Sequence, residues 1–147
     1  MNSVLVASNR GPVSFTVDDD GELSMKRGGG GLVSGLSGVA KEHGVLWVCA
    51  ALSDGDRSAV RLAPGGRLDQ GGYDTGAVRM LDIPAATFHR AYNAVANSTL
   101  WFVNHLLYDI PNSPSFGTKF HREWESYRDY NGAFALALAE EAAHGAR

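Results

Sequence analysis

Cysteine is nearly missing from this chain. Its 147 residues include one, Cys49, which excludes an intramolecular disulfide and fits a reducing compartment. An excess of one charge sign is missing as well: 13 Lys and Arg stand against 16 Asp and Glu, a formal net of −3. That balance gives no electrostatic case for nucleic acid or an anionic membrane as a bulk partner. No apolar run approaches the roughly 20 residues of a membrane-spanning helix. The opening MNSVLVASNR has neither the basic leader nor the small-residue cleavage site of a signal peptide. The expectation is a cytoplasmic protein. His43, His89, His105, His121 and His144 show no ligand spacing with an accompanying acid, so no metal site is expected. No defensible Ser/His/Asp arrangement exists either, and Cys49 lies inside an apolar run where it reads as inert packing.

What the chain does have is length for one domain, 44% hydrophobic residues for a core, and 18 glycines gathered in a few places. SVLVAS (3–8) and VLWVCA (45–50) are near-continuous apolar runs. They predict strands buried on both faces, the mark of a parallel sheet. Between them, PVSFTV and ELSMK alternate apolar with polar around DDDG, which predicts a hairpin over about 12–26 on the rim of the domain. After Gly28–Gly31, Leu32, Val33, Leu36, Val39 and Ala40 recur at helical spacing, and Gly44 stops that helix. Strand, excursion, glycine loop, helix and strand then make a right-handed crossover unit.

Further along, SDGDRSAVRLA predicts a short helix capped by Ser53 or Asp54, 63–77 a glycine-rich loop, and VRMLDI (78–83) a third strand. Pro84 suits a helix start, with helical character to about Tyr108 in two segments and a loop at DIPNSPSFG. Phe120, Trp124, Tyr127, Asn131, Phe134 and Leu138 then fall at steps of three and four on one long amphipathic helix. In a crossover fold that helix should lead into another strand, so the expectation is further structure downstream of Arg147.

Three features could carry chemistry. Arg10 sits at the carboxyl end of the first strand, where open parallel sheets bind ligands, and a guanidinium there can clamp a phosphate or carboxylate. The competing reading is a surface arginine paired with one of Asp18–Asp20. RGGGGLVSGL places glycines ahead of a helix, leaving backbone N–H groups and the helix N-terminus for a phosphate or pyrophosphate. It is neither a Walker loop nor a dinucleotide fingerprint, and a plain hinge is the alternative. Finally, Tyr92 and Trp101 lie nine apart with Asn93, Asn97 and His105 between or just after. An unbroken α-helix turns residues nine apart through about two and a half turns, to opposite faces, whereas a break near Asn97 would bring both to one cleft. Aromatic faces with amides suit sugar rings; ordinary core packing of Trp101, Leu100, Leu106 and Leu107 is the competing account.

Taken in order, VLVASNRGPVSF, GGGGLVSGL, LWV, YNAVANSTLW with its following His, and WESYRDYNGAFALAL resemble the N-terminal part of trehalose-6-phosphate synthases. The resemblance covers nearly the whole chain. It implies a Rossmann-like parallel sheet flanked by helices, as the incomplete N-terminal, acceptor-side domain of a two-domain GT-B retaining glycosyltransferase. It implies transfer of glucose from a nucleotide sugar, usually UDP-glucose, to glucose 6-phosphate. By the same resemblance Arg10 binds the acceptor phosphate, Gly31 with Gly30 beside it contacts the donor diphosphate, and Tyr92 and Trp101 line the acceptor site. Asn93, Asn97 and His105 match the motif with weaker roles. The donor phosphate takes the acceptor's proton, so no catalytic residue is expected in this chain, no cofactor beyond the two substrates, and no metal.

Departures accompany the match. The family's W-x-G-W pattern reads Trp47-Val48-Cys49-Ala50 here, which removes an aromatic contact to the acceptor, and LWFVNHLLY stands where LWPLFHY is typical. The family's next strand and its nucleotide-sugar domain are not in these 147 residues, so the chain alone is expected to be inactive. A pseudo-glycosyltransferase of aminocyclitol biosynthesis and a non-catalytic sugar-phosphate-binding module are the alternatives. The expected partners are small sugar phosphates and nucleotide sugars, with room for a homo-oligomer.

Overall fold

The computed structural model describes residues 4–42, 44–107 and 115–145, the side chains of 37–42 excepted. These residues form two compact units, one of residues up to Asp82 together with Phe134 onward, the other Ile83–Ala133. Gly44, expected to stop the first helix, is non-helical as expected, and the loop expected at 109–117 lies largely outside the described residues.

The first unit is built on a parallel three-stranded sheet. Strands β1 (Val4–Ser8), β4 (Val45–Ala50) and β5 (Val78–Leu81) stand in the order β1-β4-β5, with Val6 opposite Trp47 and Cys49 opposite Met80. Strand β4 explains why its sequence is apolar throughout. Successive side chains point to opposite faces, and both faces are covered. Leu46 and Val48 pack with Ala137 and, less buried, Leu5, Leu81, Phe134 and Leu138. Trp47 and Cys49 pack on the other side with Val13, Phe15, Ala59, Leu68, Val78 and Met80. Strand β1 was expected to be buried on both faces. Its burial is only partial, because it is the outer strand of the described sheet and pairs on one side alone.

Between β1 and β4 run the hairpin β2 (Val13–Val17) with β3 (Leu23–Arg27), antiparallel, and helix α1 (Gly31–Glu42). The DDDG turn closes as read: the carboxylate of Asp18 accepts the amides of Asp20 (3.1 Å) and Glu22 (2.8 Å). One face of the hairpin is core rather than rim, since Val13 and Phe15 are 6% and 1% exposed. Helix α2 (Asp54–Leu62) holds it there. Ser53 and Asp56 form a capping box, and the buried Asp56 carboxylate also accepts the amide of Phe15 at 2.7 Å. The Ser53 hydroxyl donates to the Phe15 carbonyl at 3.0 Å. The glycine-rich stretch 63–77 contains two tight turns, Pro64–Gly66 and Leu68–Gly71.

The second unit is helical. Helix α3 (Ala85–His89) continues without a break into a π-helical segment, Arg90–Leu100, and then α4 (Trp101–Asn104). The expected pair of helical segments is therefore one helix that changes its winding. Helix α5 (Thr118–Gly145) begins in this unit and ends in the first. Its aromatic stripe is stacked stepwise, Phe120 on Trp124 and Trp124 on Tyr127, with ring centroids 5.8 and 5.2 Å apart.

Candidate functional site

In the first unit two backbone segments meet at the carboxyl end of β1. Residues Asn9–Pro12 leave the strand, and the glycine run returns from β3 to lie on them. The amide of Gly28 donates to the carbonyl of Pro12 at 2.7 Å. A Cβ at Gly28 would stand 3.0 Å from the Gly11 carbonyl oxygen, so a side chain there would push the two segments apart. Arg10 is thereby one residue from the chain on which the glycine loop rests.

Arg10 is exposed, and its guanidinium has no ion pair among the described residues. The surface-pair reading fails for Asp18, whose carboxylate is turned onto its own turn amides. The backbone around Arg10 is tightly held. The Ser8 hydroxyl donates to the Arg10 carbonyl at 2.7 Å, and the indole N–H of Trp47 donates to the Ser8 hydroxyl oxygen at 2.7 Å. The amide of Ala50 reaches the Asn9 carbonyl at 3.3 Å. A Cβ at Gly11 would run into the sulfur of Cys49.

Gly30 and Gly31 are exposed, and a Cβ built on either meets nothing within 4 Å. Gly30 has φ +117°, which a side chain would resist. The first intrahelical bond of α1 is Ser34 N–H to Gly30 C=O at 3.0 Å. The amides of Gly31 and Leu32 precede it and face the end of the helix without an intrahelical acceptor. No acidic residue occupies that first turn, so its partial positive charge stands uncompensated. An arginine and a helix N-terminus in open space, joined through Gly11–Pro12 and Gly28, make an arrangement suited to anions. Trp47, Ser8 and Gly28 complete it. Gly28 carried a signal in the sequence as the first member of the run and Trp47 as the opening residue of the W-x-G-W comparison, whereas no role was read for Ser8.

Cys49 lies under this loop. Burial, then the neighbouring Asp56 charge, push its thiol up to about 12, which makes it a packing group and no nucleophile at neutral pH.

In the second unit Tyr92 stacks on Phe88 at 5.3 Å, and Trp101 stacks on His105 at 4.2 Å. His105 Nδ1 donates to the Trp101 carbonyl at 2.7 Å. Trp101 is 44% exposed, Leu106 81% and Leu107 56%, which argues against the ordinary-core account of this cluster. Asn93 and Asn97 are exposed. The expected break near Asn97 is absent. A π segment stands in its place: i→i+5 bonding takes more than four residues per turn, so a spacing of nine approaches two whole turns instead of about two and a half. Tyr92 is inside that segment and Trp101 directly follows it.

Comparison with known proteins adds the family. The profile of glycosyltransferase family 20 matches residues 2–147. An alpha,alpha-trehalose-phosphate synthase [UDP-forming] 1 of Aspergillus niger is 32% identical over 142 residues, 97% of this chain and 25% of that protein. A trehalose-6-phosphate synthase of Mycobacterium tuberculosis is 32% identical over 145 residues, 97% of this chain and 27% of that protein. One of Mycolicibacterium smegmatis is 31% identical over 144 residues, 97% of this chain and 25% of that protein. The chain thus spans about a quarter of the length of the relatives it matches.

Proposed function

This chain belongs to glycosyltransferase family 20, and from that premise we propose that it forms the acceptor-phosphate and donor-diphosphate part of a trehalose-6-phosphate synthase. The reaction is transfer of glucose from a nucleotide sugar, UDP-glucose in the first instance, to glucose 6-phosphate. The observation that carries this reading is the exposed Arg10 at the carboxyl end of β1, which has no ion pair among the described residues and adjoins the Gly11–Pro12 segment on which Gly28 rests.

In this reading Arg10 takes the phosphate of glucose 6-phosphate through paired, charge-assisted hydrogen bonds. The amides at Gly30 and Gly31 face the donor diphosphate, where negative charge grows as the sugar leaves. Tyr92 and Trp101 offer aromatic faces to a sugar ring, with Asn93, Asn97 and His105 as polar neighbours. The acceptor's anomeric hydroxyl oxygen bonds to the donor's C1 while the C1–O bond to the diphosphate breaks. The hydroxyl proton passes to a donor phosphate oxygen on the same face, so the configuration is retained and no side chain of this chain serves as nucleophile. Neither metal nor cofactor enters. Because the chain is about a quarter of its relatives' length, binding rather than turnover is what it does alone. A cytoplasmic setting suits its buried thiol and its phosphorylated substrates; among the described residues no helix is long and apolar enough to cross a membrane.

Calorimetric titration with glucose 6-phosphate tests the reading. The unmodified chain should bind, and Arg10→Ala should weaken binding by about tenfold or more, as loss of a charged hydrogen-bond pair implies. Absence of binding, or binding indifferent to the substitution, would contradict it.

A further inference from the structure

Trp47 and Ser8 stand out because each spends its polar group on the same short path. Trp47 is 4% exposed and belongs to the core cluster around β4. Its indole N–H, a donor that a buried tryptophan must satisfy, goes to the Ser8 hydroxyl oxygen at 2.7 Å. The same hydroxyl donates to the Arg10 carbonyl at 2.7 Å. Ser8 is the last residue of β1 and Arg10 lies two residues beyond it, where the chain has left the ladder and no sheet bond holds it.

We infer that Trp47 and Ser8 are positioning residues of the anion site: the indole fixes the serine hydroxyl, and the hydroxyl fixes the Arg10 backbone from which the guanidinium projects. This deepens the reading given above and rests on it. The hydroxyl must donate to the carbonyl, since a carbonyl cannot donate, and the indole N–H occupies one of the oxygen's two lone pairs. Both hydrogens of the path therefore have a single assignment, and the path has one direction, from rigid core to exposed turn. Two further contacts from the end of β4 act on the same turn, the Ala50 amide on Asn9 and the Cys49 sulfur against Gly11. An arginine side chain has many rotamers, and a fixed root lowers the entropy lost when it closes on a phosphate.

The test is a nuclear magnetic resonance titration of the 147-residue chain with glucose 6-phosphate and, separately, with glucose. Four variants enter it: Ser8→Ala, Ser8→Thr, Trp47→Phe and Arg10→Ala. Ser8→Ala and Trp47→Phe should each weaken glucose 6-phosphate by about three- to tenfold, the worth of one net hydrogen bond. They should leave glucose affinity unchanged. Ser8→Thr, which keeps the hydroxyl, should restore the wild-type value. In an Arg10→Ala background Ser8→Ala should cost nothing further, since the two act as one unit. Equal losses for both ligands, an unaffected glucose 6-phosphate affinity in Ser8→Ala, or full additivity with Arg10→Ala would overturn the positioning role while leaving the phosphate site standing. Binding that ignores Arg10→Ala, or no binding at all, would instead remove the site itself and the inference with it. If Trp47→Phe fails to fold, the Ser8→Ala and Ser8→Thr pair still decides.

Discussion

Arg10 depends on its neighbours more than on itself. Its turn is squeezed between the glycine loop and the buried end of β4, so the least tolerant position nearby is Gly11, where a methyl group would meet the Cys49 sulfur. Gly11→Ala should lower stability by about 1–3 kcal/mol, the range for overpacking a core, read from urea denaturation. Cys49 provides a second check. Its folded thiol is raised to about 12, above its unfolded value, so the stability it contributes is complete below the unfolded pKa. That contribution should drain away between about pH 9 and 12 as the unfolded chain ionises first. The pH slope of stability in that window should flatten in Cys49→Ala, whatever the variant's absolute stability. At this scale the sequence was partly legible. Arg10 could be placed by position alone, because the end of a parallel strand is where a sheet presents its ligand groups. Ser53 could be read as a cap from S-D-G-D. The bond of the Asp56 carboxylate to the Phe15 amide could not, because that partner is 41 residues away and no local pattern encodes it. The Trp47–Ser8 bond, 39 residues apart, was hidden for the same reason.

Element boundaries followed local chemistry wherever an element had a clear period. β4 was read at its observed limits, since both its faces are apolar and glycine precedes it. The π segment shows where periodicity misleads. Tyr92 and Trp101 at a spacing of nine conflict with an α-helix, and the conflict was resolved by expecting a break. The backbone instead widens into the π segment Arg90–Leu100, alongside which the Thr99 hydroxyl donates to the Ala94 carbonyl five residues back at 3.2 Å. No proline, glycine or other breaker in RAYNAVANSTL announces this. The end of α4 carries a testable strain. Leu107 N–H reaches the Phe102 carbonyl at 3.0 Å and Leu106 N–H the Val103 carbonyl at 3.2 Å, the bonding of a Schellman cap. The left-handed position of that cap is filled by Leu106 at φ 56°, where glycine is usual. Leu106→Gly should therefore raise thermal stability, by about 1 kcal/mol, since its side chain is 81% exposed and packs little. A loss of stability would show that the leucine contributes contacts that outweigh the strain.

Across the molecule, the first unit is fastened by charges as well as by core. Arg67 pairs with Asp69 and Glu141, and Arg79 with Glu141 and Glu140, at 2.6 to 3.2 Å. This ties the last turns of α5 to β5 and to the turn before it. Hydrogen bonding to Asp69, above all, holds the Arg67 guanidinium firmly in its charged form. The Glu141 side chain is 11% exposed and serves both arginines, whereas Glu140 is 45% exposed and serves one. Glu141→Gln should cost about 1–3 kcal/mol, and Glu140→Gln less than about 1 kcal/mol with a strong salt dependence. Equal small costs would show that the network is a surface ornament.

The central claim is that one edge of this unit holds two anion sites with separate tasks, Arg10 for a sugar phosphate and the Gly30–Gly31 amides for a nucleotide diphosphate. Backbone amide shifts measured by nuclear magnetic resonance, with glucose 6-phosphate and UDP added in separate titrations, test it most directly. Glucose 6-phosphate should move the amides of residues 9–11 first, and UDP those of residues 29–32. Both ligands moving one common set, or neither moving these residues, would contradict the account.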